Sequence, residues 1–332
     1  MKRILCIAIL VIFSVSIVFA GGQKEAGADK QEKIVWKFGH LANEDHMWNK
    51  TAIKFAELVN EKTNGVIEVK IYPNEQLGKE VELINMIQGG TADITISGES
   101  MANWAPKAAL MAVPFAFNST EHMQSAIESK IGDEIAAQIT EKIGLIPLYY
   151  HARLPRNLTS NTPMSSPEDV TGLKMRVPNV PLFLDAWKAL GAYPQAMAFS
   201  EVFTALQQGT IGAQENPYDL IYSASFYEVQ EYVNETEHVH SWIYVLIGEA
   251  QFNSLSPELK AQVKEATVET QVYANELFAS DAPTYKQKLI DAGMNINSNV
   301  DKAAFRAAME PAIKEKLTAE QFDLYKRITS GK

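Results

Sequence analysis

The chain predicts an α/β fold built as two domains, and three observations carry that expectation. From residue 34 onward, runs with a period of two residues alternate with runs of helical period. The helical runs stop at glycine signals such as Asn64-Gly65, Gly89-Gly90, Gly191 and Gly209. The alternation occurs twice with no Pro/Gly-rich linker between, so two domains joined by several chain crossings are expected.

In order, Ile34–Phe38 reads as extended, and Asp45–Lys62 as a helix with Ala52, Phe55, Ala56 and Val59 on one face. Ile67, Val69 and Ile71 alternate as a half-buried strand. A helix over Lys79–Gln88 then leads into a strand over Ala92–Ile96, completing one β-α-β-α-β unit. The second unit comprises Leu145–Tyr150, Met175–Val177, helices Leu182–Leu190 and Ser200–Gln208, and a strand near Ile211–Gln214. A long helix over Leu255–Leu277 opens at Ser256-Pro257-Glu258, and amphipathic helices Asp301–Lys314 and Ala319–Ile328 follow.

Residues 1–20 carry Lys2 and Arg3 ahead of an apolar run from Ile4 to Val18, and end in Ala20. This predicts a signal peptide cleaved after Ala20, with a retained anchor as the alternative. Residues 21–33 are polar and read as a disordered linker. Cys6 is the only cysteine, so the mature chain forms no disulfide and depends on its core. Net charge is −10, and loss of the leader's two cations makes it −12. That balance argues against nucleic acid or an anionic membrane as partner, and an anion site would rest on local arginines.

One arginine stands out. Gly172-Leu173-Lys174-Met175-Arg176-Val177-Pro178 sets Arg176 on a short strand halted by proline, shortly before Gln214-Glu215-Asn216-Pro217. Strand ends of open α/β sheets face the ligand crevice. The guanidinium fork stays charged and donates two parallel hydrogen bonds to one carboxylate. A helix cap or a surface ion pair is the alternative for Arg176.

Other constellations point less clearly. His40, Asp45 and His46 lie between the first strand and the first helix; the histidines touch ligand, or Asp45 caps the helix and they are solvated. His238 and His240 share a strand face, as a metal pair would, but no further ligand lies nearby, and no metal or cofactor is expected. Of the five tryptophans, one or two are placed near the ligand and the rest in the core. Gly-x-Ser-x-Gly, the phosphate loop and His-Glu-x-x-His are absent, so no enzyme is expected.

The run Gly172–Pro178, followed by Met197-Ala198-Phe199-Ser200-Glu201-Val202, Ala205-Leu206-Gln207-Gln208-Gly209 and Gln214–Pro217, resembles the solute-binding subunits of tripartite ATP-independent periplasmic (TRAP) transporters, of DctP type. Lys37-Phe38-Gly39, Thr63-Asn64-Gly65, Tyr72-Pro73, Gln76-Leu77-Gly78 and Val113-Pro114-Phe115 agree in order and spacing. The resemblance implies a periplasmic two-domain binding protein with a ligand cleft between domains and a long bridging helix. It places domain I at 34–153 and 242–281, and domain II at 154–241 and 282–332. It also implies that Arg176 binds the substrate carboxylate, that Arg156 and Asn216 complete the anion site, that Phe199 lines the pocket, and that Glu99 receives hydroxyls.

Three departures matter. Leu41 stands where sialic-acid-binding members carry asparagine, their arginine soon after Glu99 has no counterpart, and Gly212-Ala213 replaces the usual Asp-Gly. Sialic acid is thus disfavoured. The implied function is capture of a small organic carboxylate, a sugar acid such as a uronate, by a monomer that delivers it to sodium-driven membrane subunits. The alternatives are a C4-dicarboxylate, with Arg156 taking the second carboxylate; the binding protein of an ATP-driven importer; or a ligand sensor for a signalling receptor.

Overall fold

A computed structural model describes residues 33–330, so the leader and nearly all of the linker lie outside the described residues. In chain order the first part comprises β1 (Ile34–Gly39), α1 (Met47–Lys62), β2 (Ile67–Tyr72), α2 (Glu80–Gln88), β3 (Ile94–Ser97), α3 (Thr120–Ile127), α4 (Lys130–Ile143) and β4 (Leu145–Ala152). The second part comprises β5 (Arg156–Ser160), β6 (Lys174–Val177), α5 (Pro181–Ala189), β7 (Tyr193–Ala196), α6 (Val202–Gln207), β8 (Ala213–Pro217), α7 (Tyr218–Ser223) and β9 (Tyr232–Val239). Then come β10 (Trp242–Gly248), α8 (Glu249–Asn253), α9 (Pro257–Asp281), α10 (Tyr285–Asp291), β11 (Asn295–Asn297), α11 (Lys302–Lys316) and α12 (Ala319–Thr329).

The strands form two sheets. One runs β2-β1-β3-β10-β4 and the other β11-β9-β5-β8-β6-β7. Strands β1, β2 and β3 pair in parallel with α1 and α2 as the connecting helices, whereas β10 enters antiparallel between β3 and β4. The chain changes sheet at Arg153–Pro155 and again at His240–Ser241. The long helix α9 packs on α1 and β4 of the first sheet, and α10, which follows it, packs on α7 of the second. This is the two-domain α/β architecture with a long helix.

Two expectations need correction. Leu145–Ala152 does not open the second unit; it pairs along β10 at the edge of the first sheet. The first helix begins at Met47, and its cap is His46, whose Nδ1 accepts the Trp48 N–H at 3.1 Å, rather than Asp45. An imidazole nitrogen serves here as the acceptor that an aspartate would supply. Helix α1 buries Met47, Trp48, Thr51, Ala52, Phe55, Leu58 and Val59, the face its helical spacing defines.

Candidate functional site

Strand alternation decides what the second sheet offers. Met175 and Val177 bury on one face of β6 and belong to the hydrophobic core. Arg176 therefore points to the other face, which by register it shares with Gln214 and, two residues on, Asn216. Glu215 lies on the opposite face with Leu158 and Arg156. The same period thus separates a cavity-lining amide from a buried carboxylate.

Between the sheets lies a cavity of about 430 Å³, within the range of small-molecule sites. Its second-sheet wall includes Arg176, Asn216, Met197 and Phe199, and its first-sheet wall includes Trp48, Glu80, Ser97 and Glu99. Arg176 is buried, its Nε donates to the Met197 carbonyl at 2.9 Å, and its guanidinium lies 5.9 Å from the Phe199 ring centre. Among the described residues no carboxylate pairs with it. Burial pulls this guanidinium down to about 10, the sign of a desolvated cation that remains charged at neutral pH. Asn216 donates its Nδ2 to Gln214 Oε1 at 2.6 Å.

Arg156 also borders the cavity, but its charge is already compensated. Its Nε and Nη2 donate to the two carboxylate oxygens of Glu215 at 2.5 and 2.6 Å, and its Nη1 lies 3.4 Å from Glu99 Oε1. Burial would push the Glu215 carboxyl up, yet Arg156, aided by His238 at 3.0 Å, holds it down at about 2. Arg156 is therefore not a second free cation.

Sequence reasoning did not single out Arg153. It sits at the first crossing, donates from Nη1 to Glu99 Oε1 at 3.0 Å and lies 5.7 Å from the Trp48 ring centre. The available signal was an Arg-x-x-Arg pair bracketing Leu154-Pro155 where the chain changes sheet. Trp48, at the start of α1, lines the cavity as well as the core. Its indole N–H and Glu99 Oε2 are both buried without a hydrogen-bond partner, so this wall carries an unsatisfied donor and an unsatisfied acceptor.

His40 and His46 do not line the cavity. His40 is buried against Asn49 at 3.2 Å, and burial lowers it to about 4, leaving a neutral core imidazole. His46 caps α1 and meets Asp219 Oδ2 at 3.1 Å. That contact joins the two sides of the cleft, as do Asn43 to the Ser223 carbonyl at 2.7 Å and Asn103 to the Asn179 carbonyl at 3.0 Å. His238 serves Glu215, and among the described residues no group of three or more potential ligands is placed to hold a metal.

Gly98 fixes the position of Glu99. A Cβ at this residue would meet Ile243 Cγ2 at 2.6 Å and the Trp242 carbonyl oxygen at 3.3 Å, so β3 approaches β10 only because the side chain is absent. Gly98→Ala is expected to cost about 1–3 kcal/mol and to lower the melting temperature by several degrees. An unchanged melting temperature in calorimetry would show that the contact has slack.

Residues 38–320 match the family described as bacterial extracellular solute-binding protein, family 7 (DctP). The chain is similar to a TRAP periplasmic solute-binding protein from Roseobacter denitrificans, solved with bound L-galactonate. Identity is 48%, the TM-score 0.87, and coverage 90% of this chain and 99% of that one. It is 35% identical to the 2,3-diketo-L-gulonate-binding periplasmic protein YiaO of Escherichia coli over 84% of this chain and 85% of that one. A solute-binding protein from Sulfurospirillum deleyianum, solved with succinate, is 28% identical with a TM-score of 0.85, covering 91% of this chain and 100% of that one.

Proposed function

Because the chain belongs to family 7 of the bacterial extracellular solute-binding proteins, we propose that it captures a hydroxylated monocarboxylate, an aldonate or uronate, and hands it to TRAP membrane subunits. The observation that carries this reading is Arg176, a buried guanidinium facing the cavity without a counter-charge among the described residues. Phe199 would pack on the carbon skeleton, Asn216 would complete the anion site, and Glu99 Oε2 would accept a hydroxyl. Bound L-galactonate in the Roseobacter relative supports this choice of acid.

Domain limits of 34–153 with 242–281 and 154–241 with 282–332 place Arg176 and Glu99 on opposite sides of the cleft. The sheet changes at residues 153–155 and 240–241 support those limits. Closing the cleft over the acid would exclude water and strengthen each charged hydrogen bond. No helix among the described residues is long and apolar enough to cross a membrane. A periplasmic location is proposed from membership of a family of extracellular solute-binding proteins.

The succinate-bound relative favours a C4-dicarboxylate as the second reading. It would need Arg156 for the second carboxylate, and Glu215 already holds that guanidinium bidentately. A thermal-shift screen of L-galactonate, galacturonate, succinate and neutral sugars separates the readings. A ligand at about 100 times its Kd adds ~2.7 kcal/mol, a rise of several degrees. Rises with the hydroxylated acids are expected. A rise confined to succinate would favour the second reading, and one confined to neutral sugars would overturn both.

A further inference from the structure

One buried bond ties together the segments that bring Trp48 and Asn216 to the cavity. His46, two residues before Trp48, and Asp219, three residues after Asn216, are 1% and 3% exposed and meet at 3.1 Å. His46 Nδ1 accepts the Trp48 backbone N–H, which can only donate, so that nitrogen is bare and the ring proton sits on Nε2. A neutral imidazole therefore donates from Nε2 to Asp219 Oδ2. Burial alone would raise the Asp219 carboxyl, yet the His46 bond and the charge of Arg153 hold it below its ordinary value, so the acceptor is ionised at neutral pH. Such a charge-assisted bond is roughly twice as strong as one between neutral groups.

Other bonds cross the cleft with less force. Asn43 and Asn103 give neutral amide bonds to the Ser223 and Asn179 carbonyls. Lys79 and Glu201 pair with side chains 42% and 49% exposed, where water screens them. Arg156 reaches Glu99 only at 3.4 Å while Glu215 holds it. Resting on the sugar-acid reading of the cavity, we infer that His46 and Asp219 are a positioning pair, whose bond holds the two walls in the register that encloses the acid and so sets how slowly the acid leaves. Neither side chain lines the cavity, so the pair acts through Trp48 and Asn216 rather than by touching ligand. Asp219 Oδ1 is buried without a partner, so loss of His46 leaves this carboxylate with no side-chain donor until the walls part and water enters. That favours opening, and the effect falls on release rather than capture.

Stopped-flow mixing with L-galactonate, followed by tryptophan fluorescence because Trp48 stands in the wall, tests the pair in the wild type, His46→Asn, Asp219→Leu and the double variant. Asparagine is among the best helix caps but too short to reach Asp219, so His46→Asn keeps the start of α1, and calorimetric melting checks that each variant folds. Each single variant is expected to release the acid about 10-fold faster, with association changed by less than about 2-fold. The double variant should release it no faster than either single one, since one bond is lost in all three. Unchanged release in either single variant, an additive gain of about 100-fold in the double, or slower association that accounts for the affinity loss overturns the positioning role and leaves the Arg176 site standing. Failure of the wild type to bind L-galactonate overturns the sugar-acid reading and the positioning role with it.

Discussion

Glu215→Ala is expected to cost about 3–5 kcal/mol of stability, which for a chain of this size lowers the melting temperature by on the order of 10 °C. The reason is what remains. Arg156 is 2% exposed, and without the Glu215 carboxylate it keeps a buried charge with the residue-215 backbone carbonyl at 2.8 Å and a distant Glu99 contact as its remaining hydrogen-bond partners, while His238 loses its acceptor at Nε2. Replacing Arg156 and Glu215 together by apolar residues should recover much of the loss, because the cost lies in the orphaned charge rather than in a missing attraction. Equal destabilisation by the single and double variants would contradict that view.

The same pair sets an acid limit. Glu215 is depressed from 4.5 to about 2 in the folded protein, so its contribution is fully present above pH 4.5 and disappears as pH falls toward 2. Chemical denaturation between these pH values should show wild-type stability falling more steeply than that of Glu215→Gln. Parallel curves would mean that the carboxylate is not held by Arg156.

The second large effect concerns Arg176. Arg176→Lys should weaken binding of the acid about 10–100-fold, since an ammonium cannot hold the Met197 carbonyl and also donate two parallel bonds to a carboxylate. Arg176→Ala should abolish measurable binding yet leave the ligand-free protein as stable or more stable, because it removes a desolvated cation that acids offset only from a distance, with Glu215 foremost. A variant that lost stability and affinity in parallel would point to a structural arginine instead.

Much of this site was legible in the chain itself. The alternation Met175-Arg176-Val177 and Gln214-Glu215-Asn216 dictates which side chains share a face, and Pro178 and Pro217 mark where the strands deliver them. Long-range pairing was not legible: Leu145–Ala152 has the apolar character of any strand, and only its pairing with β10 assigns it to the first sheet. His46 looked like a loop residue because its partners, Trp48 N–H and Asp219, combine a local cap with a contact 173 residues away. Arg153 escaped notice since its partners Glu99 and Trp48 meet it only where the chain crosses between sheets.

One carboxylate, held by Arg176, is expected to drive binding. Calorimetric titration of the wild-type protein with L-galactonate and with galactitol, in which a hydroxymethyl group replaces the carboxylate, tests it most directly. The acid should bind at about micromolar Kd, with galactitol at least 100-fold weaker, the loss of two charge-assisted hydrogen bonds. Comparable affinity for the two would contradict the assignment of Arg176 as the carboxylate anchor.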